Sequence, residues 1–210
     1  MKKNISKKFQ YSEIDDHQGP PGKRKIAAAL NNLLEHKDFI SITTAEISKA
    51  SGVNESMIYR YFSDKRGLLH YILARYLKRM YTEIMDGLKH IEGSIEKLAQ
   101  VIRHTLEIYD RNRVFAKILL IEVRNFPGYW ESDSYRLVKQ YAKLYTDIIE
   151  EGLAAGEIRT DIGKWHIMQT LLGTVEHMIL PCIIFQKPIN VDNCMNAVDK
   201  LVLKGLSVKI

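Results

Sequence analysis

The stretch ITTAEISKASGVNESMIYRYFSDKRGLL, residues 42–69, decides the fold of this chain. Thr43 and Glu46 fit a capping box, in which the threonine oxygen accepts from an amide of the first helical turn and the glutamate reaches back to the cap. Gly52 follows the apolar positions of this helix and can adopt the positive φ that ends it. A helix is therefore predicted to begin at Thr43 or the next residue, and the chain to turn at Gly52.

The residues after this turn predict a second short helix and the start of a long one. Asn54 is a good N-cap, and Ile58 and Phe62 lie four apart on one buried side. Beyond Asp64, apolar residues keep helical spacing as far as Ile84, for about five turns. Two short helices joined by a glycine-containing turn are the pattern of a helix-turn-helix DNA reader.

The amino end of the chain shows an arm and a first core helix. Residues 1–22 lack apolar periodicity and contain the turn-forming run GPPG, which predicts a mobile arm. From Lys23 onward, apolar residues at helical spacing predict a helix that ends near His36.

The rest of the chain is predicted to be helical, without convincing strand alternation. The later amphipathic segments are 94–109, 114–125, 134–155, 164–185 and 191–206, separated by glycine or proline. The predicted fold is therefore all-α. It divides into the arm (1–22), a three-helix helix-turn-helix DNA-binding domain (23–68) and, joined by the long helix, a larger helical body (69–210).

Charge and composition point to an anionic partner without identifying it. The chain has 210 residues and a formal net charge of +6, and residues 1–70 carry 12 basic against 8 acidic side chains. No apolar run of signal-peptide length follows the start, and the apolar stretch 165–185 contains ionisable side chains, so neither export nor membrane insertion is predicted. Cys182 and Cys194 lack CxxC spacing and are expected to be reduced thiols in a cytoplasmic protein.

The geometry of the second short helix predicts which side chains meet DNA. With Ile58 and Phe62 facing inward, Arg60 can donate to guanine edges, and hydroxyl groups can reach phosphate or base edges. Lys65 at the start of the long helix can help to hold a phosphate. Lys23, Arg24 and Lys25 are placed to hold the DNA backbone from the other side, and the outward or flanking candidates on the reading helix are Asn54, Glu55, Ser56, Tyr59, Arg60 and Tyr61.

Blocks at 43–47, 50–53, 58–62 and 64–69 carry a family resemblance. Through their order and spacing, residues 23–69 resemble the DNA-binding domain of the TetR (TetR/AcrR) family of bacterial regulators. In that family the threonines opening the second helix, polar residues of the third, the aromatic pair at its end and the lysine opening the fourth contact DNA. The resemblance therefore implies DNA contacts at Thr43, Thr44, Asn54, Ser56, Tyr59, Arg60, Tyr61 and Lys65.

Two residues depart from the family pattern. Glu55 stands where many members have a basic or neutral residue, so it either repels phosphate or accepts from a cytosine amine. Met57 replaces a common threonine or serine, which puts a direct contact there in doubt.

Beyond the DNA-binding domain, the resemblance implies that residues 69–210 are a helical ligand-binding and dimerisation domain. This domain would dimerise through its last two long helices and bind a small molecule that weakens DNA binding. These helices match residues 164–185 and 191–206. The predicted dimer stripe is Met168, Leu172, Val175 and Ile179, while His166, Thr170, Gly173 and His177 form a second stripe. The predicted ligand-contacting residues are Tyr109, Phe126, Tyr145 and His177.

The apolar body hints at a hydrophobic or amphipathic effector, such as a drug-like compound or a fatty acyl derivative. The same composition also follows from the need for a core. The aromatic residues predicted to contact ligand can likewise be ordinary core residues. The predicted DNA contacts also have structural alternatives. Thr43 can serve only as a helix cap, and Tyr59 and Tyr61 can pack at a domain junction.

The functional prediction is a DNA-binding regulator, a ligand-responsive repressor that binds a palindromic operator as a homodimer. Repression rather than activation follows from the resemblance alone. No nucleophile elbow, phosphate loop, zinc motif or CxxC pair is present, so no catalytic residue, metal or cofactor is predicted. The alternative is a helical adaptor or small-molecule carrier with a vestigial helix-turn-helix.

Overall fold

The computed structural model describes residues 19–208, and their helical architecture confirms the all-α prediction. No β-strand occurs among these residues, only an isolated bridge between Ile158 and Ser207. The α-helices in chain order are α1 (Pro21–Leu34), α2 (Thr44–Ser51), α3 (Ser56–Phe62), α4 (Lys65–Leu88), α5 (Ser94–Arg111), α6 (Arg113–Lys117), α7 (Asp133–Ala154), α8 (Lys164–Ile184), α9 (Val191–Val198) and α10 (Lys204–Leu206).

The described residues pack into two compact units. Unit 1 holds those up to Arg79 together with Arg111–Arg136, and unit 2 holds Met80–Asp110 and those from Leu137 onward. Unit 1 thus adds α6 and the segment after it to the helix-turn-helix. The predicted division after residue 68 does not follow these units, and it stays a prediction about function.

Helix α1 begins earlier than its sequence suggested. The predicted arm ended at Gly22, but Pro21 and Gly22 already lie in the helix. Proline suits the first turn because its missing N–H needs no partner there and its fixed φ is helical. The backbone N–H groups of Lys23 and Arg24 donate to the Pro20 carbonyl, and the rest of the predicted arm, residues 1–18, lies outside the described residues.

The two short helices follow the predicted signals closely. Helix α2 has Thr43 as its N-cap with a complete capping box, and it ends at Gly52, whose φ is +65°. Ile47 of α2 and Ile58 and Phe62 of α3 are buried. Their burial fixes the outward face of α3.

The sharp junction between α3 and α4 requires a glycine near its start. A Cβ built at Gly67 would collide with the backbone carbonyl oxygen of Phe62. The Asp64 side chain accepts from the backbone N–H of Gly67 at 2.7 Å, which satisfies one amide of the first turn of α4. Ser63 between the helices has a positive φ of 68°.

The segment predicted as one helix over residues 114–125 has a different form. Helix α6 passes at Ile118–Glu122 into a π turn, in which the Val123 N–H donates to the Ile118 carbonyl. A second π turn at Asp199–Leu203 interrupts the predicted 191–206 helix. Apolar periodicity predicts helix but carries no signal for a single extra residue in a turn. Short 3₁₀ turns also occur at Phe39–Ser41 and Pro127–Glu131.

Candidate nucleic-acid interface

The amino end of α2 is held by its capping box and by a lysine from the preceding turn. Thr43 Oγ1 accepts from the Glu46 N–H at 3.1 Å, and Glu46 Oε2 accepts from the Thr43 N–H at 2.8 Å. Lys37 Nζ lies 2.5 Å from Glu46 Oε1. The Lys37 hydrogen bond, with help from the Thr43 amide, lowers the pKa of the Glu46 carboxyl to about 2. Thr43 is therefore both the cap of α2 and an exposed residue.

The front of α3 is ordered by its own side chains. Asn54 Oδ1 accepts from the Ser56 N–H at 2.9 Å and from the Ser56 hydroxyl at 2.8 Å. Helix α3 begins at Ser56 with Glu55 at the N-cap, so the predicted N-cap position of Asn54 is wrong by one residue, although its side chain still accepts from the first amide of the helix. Both residues are exposed, as a DNA contact requires.

The middle of α3 carries the most accessible of the predicted contacts. Arg60 is exposed, and Tyr59 leaves 52% of its surface open although it is a large aromatic residue. Tyr61 is different, because its ring packs edge-on against Phe62 at 6.1 Å and is only half exposed. We call the exposed set Thr43, Asn54, Ser56, Tyr59 and Arg60 the reading surface.

The predicted DNA contact Lys23 points onto aromatic rings. Lys23 Nζ lies 4.3 Å from the centroid of the Tyr71 ring and 5.5 Å from that of Phe62. Arg24, on the same helix, is half exposed. The Lys23 ammonium therefore stabilises the packing of α1 against α3 and α4 by cation–π attraction.

The ammonium of Lys65 faces the interior of unit 1. Lys65 Nζ donates to the carbonyls of Phe39 at 2.9 Å and Ile42 at 2.5 Å, and it lies 4.4 Å from the centroid of the Phe39 ring. Burial is the main cause of its lowered pKa. The side chain predicted to hold a phosphate instead fixes the turn that leads into α2.

Thr44 and Glu55 contact each other across the helix-turn-helix. The Thr44 hydroxyl donates to Glu55 Oε1 at 2.5 Å, which ties the start of α2 to the start of α3. From the sequence, both residues were predicted to lie near the DNA, without a contact between them. Their spacing of eleven residues across a turn gives no local signal for this bond.

The turn between α1 and α2 is also held by the end of α6 and by the π turn that follows it. Lys117 Nζ lies 2.8 Å from Asp38 Oδ1 and donates to the Lys37 carbonyl at 3.2 Å. This contact lowers the pKa of the Asp38 carboxyl. The buried Glu122 Oε1 accepts from the Phe39 N–H at 3.4 Å. We call Lys65, Lys117 and Glu122 the turn clamp, a set that no local sequence pattern predicts.

Phe126, one of the residues predicted to contact ligand, packs beside the α1–α2 turn in unit 1. Its ring lies 6.1 Å from that of Phe39, and the Arg66 guanidinium lies 4.1 Å from its centroid. Tyr109 and Tyr145 are both buried in unit 2, whereas His177 is exposed on α8. Their predicted contact with a ligand stays a prediction.

Tyr145 ends a buried chain of hydroxyl groups in unit 2. Its hydroxyl lies 2.9 Å from that of Tyr141, which lies 2.7 Å from Thr105 Oγ1. Burial raises the pKa of Tyr141 to about 12 and also raises the pKa of Tyr145 well above its usual value. These hydroxyl groups link three buried side chains of α5 and α7 by hydrogen bonds.

The stripe predicted to form the dimer seam is mostly internal. Met168, Val175 and Ile179 are buried within the chain itself, so a partner helix could not reach them. Burying an apolar stripe is favourable both in a protein's own core and against a partner. Here the stripe is buried in the core. The exposed positions on α8 are Trp165, His166, Gln169, Thr170, Gly173, His177, Pro181 and Ile184.

Helix α8 is unusually apolar for one so exposed. It is the one helix in the described residues long and apolar enough to cross a membrane by length and composition, which is weak evidence because helices of soluble proteins pass the same test. Only 33% of its apolar window is buried within the chain. Within residues 19–208, no group of three or more His, Cys, Asp or Glu side chains is placed to hold a metal ion.

Two family models match consecutive parts of the chain. The model described as bacterial regulatory proteins, tetR family, matches residues 26–72. A model of the C-terminal region of YsiA-like proteins matches residues 73–205.

The chain is also similar to individual proteins over nearly their whole length. It is 21% identical to the fatty acid metabolism regulator protein of Bacillus subtilis (strain 168), over 91% of this chain and 99% of that protein. The crystal structure of the transcriptional regulator FadR from Bacillus subtilis in complex with stearoyl-CoA superposes with a TM-score of 0.78 at 20% identity, over 87% of this chain and 98% of that one. FadR from Bacillus halodurans gives a TM-score of 0.79 at 19% identity, over 91% and 100%. At these identities, the solved structures establish a shared fold.

Proposed function

Because the chain belongs to the TetR family of bacterial regulatory proteins, we propose that it is an effector-responsive repressor that binds a palindromic operator as a homodimer in the cytoplasm. Membership makes it a DNA-binding transcriptional regulator, not an enzyme. The operator symmetry, the dimer, the sign of regulation and the effector are the proposed parts.

The observation that carries the DNA-binding proposal is the reading surface itself. Its residues are exposed, and the backbone beneath them is held by the Thr43 capping box and by the hydrogen bond from the Ser56 N–H to Asn54. Arg60 can donate to a guanine edge, and Tyr59 can reach a phosphate or a base edge. Lys23, Thr44, Tyr61 and Lys65 are then positioning residues, and Arg24 is the remaining backbone contact.

The dimer is proposed to form on the exposed stripe of α8. Trp165 is 61% exposed and Ile184 is 54% exposed, and large apolar side chains open to this extent on one helix favour a partner surface. A second copy is the natural partner, since identical helices present identical stripes and close with two-fold symmetry. Two reading surfaces would then meet successive major-groove faces about 34–36 Å apart on the operator.

The effector is proposed to be a long-chain fatty acyl-CoA. The similar FadR structure contains stearoyl-CoA, and a similar protein is described as a fatty acid metabolism regulator. The largely apolar core of unit 2, with its buried tyrosine hydroxyl groups, suits a ligand that joins an alkyl chain to a polar head.

The test measures operator binding by fluorescence anisotropy over a salt series. Arg60→Ala and Tyr59→Ala are each expected to lower affinity about tenfold or more, because a good base contact is worth about 1–3 kcal/mol. Lys139→Ala, an exposed change on α7, is the matched control and should leave affinity unchanged. Unchanged affinity for both reading-surface variants, with intact folds, would contradict the assignment.

Two further measurements test the dimer and the effector. Size-exclusion mass should correspond to two copies, and Gly173→Arg on the exposed stripe should shift it toward one. Stearoyl-CoA should weaken operator binding by the wild-type protein. A monomer that is indifferent to heparin and duplex DNA would instead favour the adaptor or carrier alternative.

A further inference from the structure

Glu55 is an acidic side chain within the surface proposed to read DNA. It lies directly between Asn54 and Ser56, two exposed members of the reading surface, and is itself half exposed. Its Oε1 atom accepts from the Thr44 hydroxyl at 2.5 Å. Among residues 19–208, the second oxygen, Oε2, accepts no hydrogen bond. The carboxylate is therefore held at one oxygen and open at the other.

A carboxylate in this position discriminates strongly between base edges. It accepts hydrogen bonds and, when ionised, donates none. In the major groove guanine presents two acceptors, and thymine presents an acceptor and a methyl group, so both are unfavourable partners. Adenine offers an amine beside the N7 acceptor, whereas the cytosine amine has no acceptor next to it on the same base.

We propose that Glu55 selects cytosine at one position of each operator half-site, by accepting a hydrogen bond from the N4 amine. The inference rests on the proposed DNA binding by the reading surface. Thr44 acts as a positioning residue, since its hydroxyl fixes the carboxylate at Oε1 and leaves Oε2 to face the base.

The same charge reduces binding to DNA of random sequence. A negative side chain near the phosphates is repelled where no amine offsets it, and this repulsion is screened by salt. Glu55 therefore contributes to specificity both by a favourable contact with the correct base and by an unfavourable interaction elsewhere.

Two conservative variants separate the base contact from the structural contact. Glu55→Gln keeps an acceptor for the Thr44 hydroxyl but presents an amide that can also donate. Thr44→Val removes the hydroxyl and leaves the carboxylate. Binding sites are selected from a random duplex library with the wild-type protein and with each variant, and affinities are then measured by anisotropy.

The wild-type protein is expected to enrich a cytosine that Glu55→Gln no longer requires, while Thr44→Val retains that cytosine with lower affinity. Replacing the cytosine by N4-methylcytosine, which removes the amine hydrogen in the groove, should weaken wild-type binding about tenfold and the Glu55→Gln variant little. The Glu55→Gln variant should also bind random DNA about two- to fivefold more tightly.

The outcomes distinguish failure of the inference from failure of the proposed function. An enriched operator with the same base preferences for the wild-type protein and Glu55→Gln would overturn the cytosine assignment and leave DNA binding standing. Equal losses of preference in Glu55→Gln and Thr44→Val would assign Glu55 a structural role and also overturn it. If the wild-type protein enriches no sequence, the proposed function and the inference both fail.

Discussion

The reading surface and the α1–α2 turn beside it are held in place by different kinds of contact. The reading surface is held by contacts between residues close in sequence, Thr43 with Glu46 and Asn54 with Ser56. The turn is held by the turn clamp, whose Glu122 lies 83 residues from its partner Phe39. The shape of the reading surface therefore depends on a short stretch of chain, whereas the position of the turn depends on the whole of unit 1.

This difference implies that the shape of the reading surface and the position of the turn beside it can be altered separately. Changes in the local contacts should affect the folding of the helix-turn-helix or its base preference. Changes in the clamp should affect how well an unaltered reading surface fits DNA. Substitutions in the local contacts and in the turn clamp test this separation.

Gly67→Ala should have the largest effect on stability. Its Cβ would meet the Phe62 carbonyl oxygen, a backbone atom that cannot move away without shifting α3 against α4. We expect the free energy of unfolding, measured in urea, to fall by about 3 kcal/mol. Gly128→Ala is the control, because a Cβ there meets nothing within 4 Å, and it should stay within about 0.5 kcal/mol of the wild-type value. Equal effects would show that the junction adjusts freely.

Glu122→Gln should loosen the turn clamp. The buried carboxylate lies 3.8 Å from Lys117 Nζ, and neutralising it removes this attraction and weakens the hold on the Phe39 amide. Stability should fall by about 1–2 kcal/mol, and operator affinity should fall without a change in base preference. The exposed Glu131→Gln, in the same segment, is the matched control. A changed base preference in Glu122→Gln would break the proposed separation of shape from position.

Thr43→Ala tests the local contacts. Removing the cap oxygen leaves the Glu46 amide without its partner, which should cost about 1 kcal/mol in unfolding free energy. Thr43→Ser retains the hydroxyl and should recover most of the loss. If alanine and serine are equivalent, the capping bond does not stabilise α2.

The smallest effect is expected from the titration of Glu46. Its pKa is lowered to about 2 in the folded protein, so its contribution to stability is present above the unfolded value near 4.3 and is lost as the pH falls toward 2. The stability difference between the wild-type protein and Glu46→Gln should therefore shrink between about pH 4.5 and pH 2. A difference that stays constant over this range would show that the Lys37 contact does not persist in solution.

The sequence predicted the contacts between neighbouring residues but not those between residues far apart in the chain. The cap at Thr43, the turn at Gly52 and the buried side of α3 are set by neighbouring residues, so their patterns predicted them correctly. The inward direction of Lys65 and the burial of Glu122 depend on residues that meet only after folding. No pattern within a single helix contains that information.

Helix α8 shows a second reason why sequence analysis falls short. It is apolar on more than one side, so periodicity identified the stripe containing Met168 without saying whether the chain or a partner covers it. The structure buries that stripe and exposes the one containing His166 and Gly173. Only the packing of the chain itself could decide between the two.

The π turn at Ile118–Glu122 makes the length of this segment matter. It accommodates one more residue than a regular turn, and Lys117 just before it and Glu122 at its end both reach the same short loop. Deleting one residue here would restore a regular helix and rotate one flank against the other by about 100°. A single-codon deletion should therefore be far less tolerated here than in an ordinary surface helix. Any relative with a regular helix at this place would have to secure its loop with other side chains.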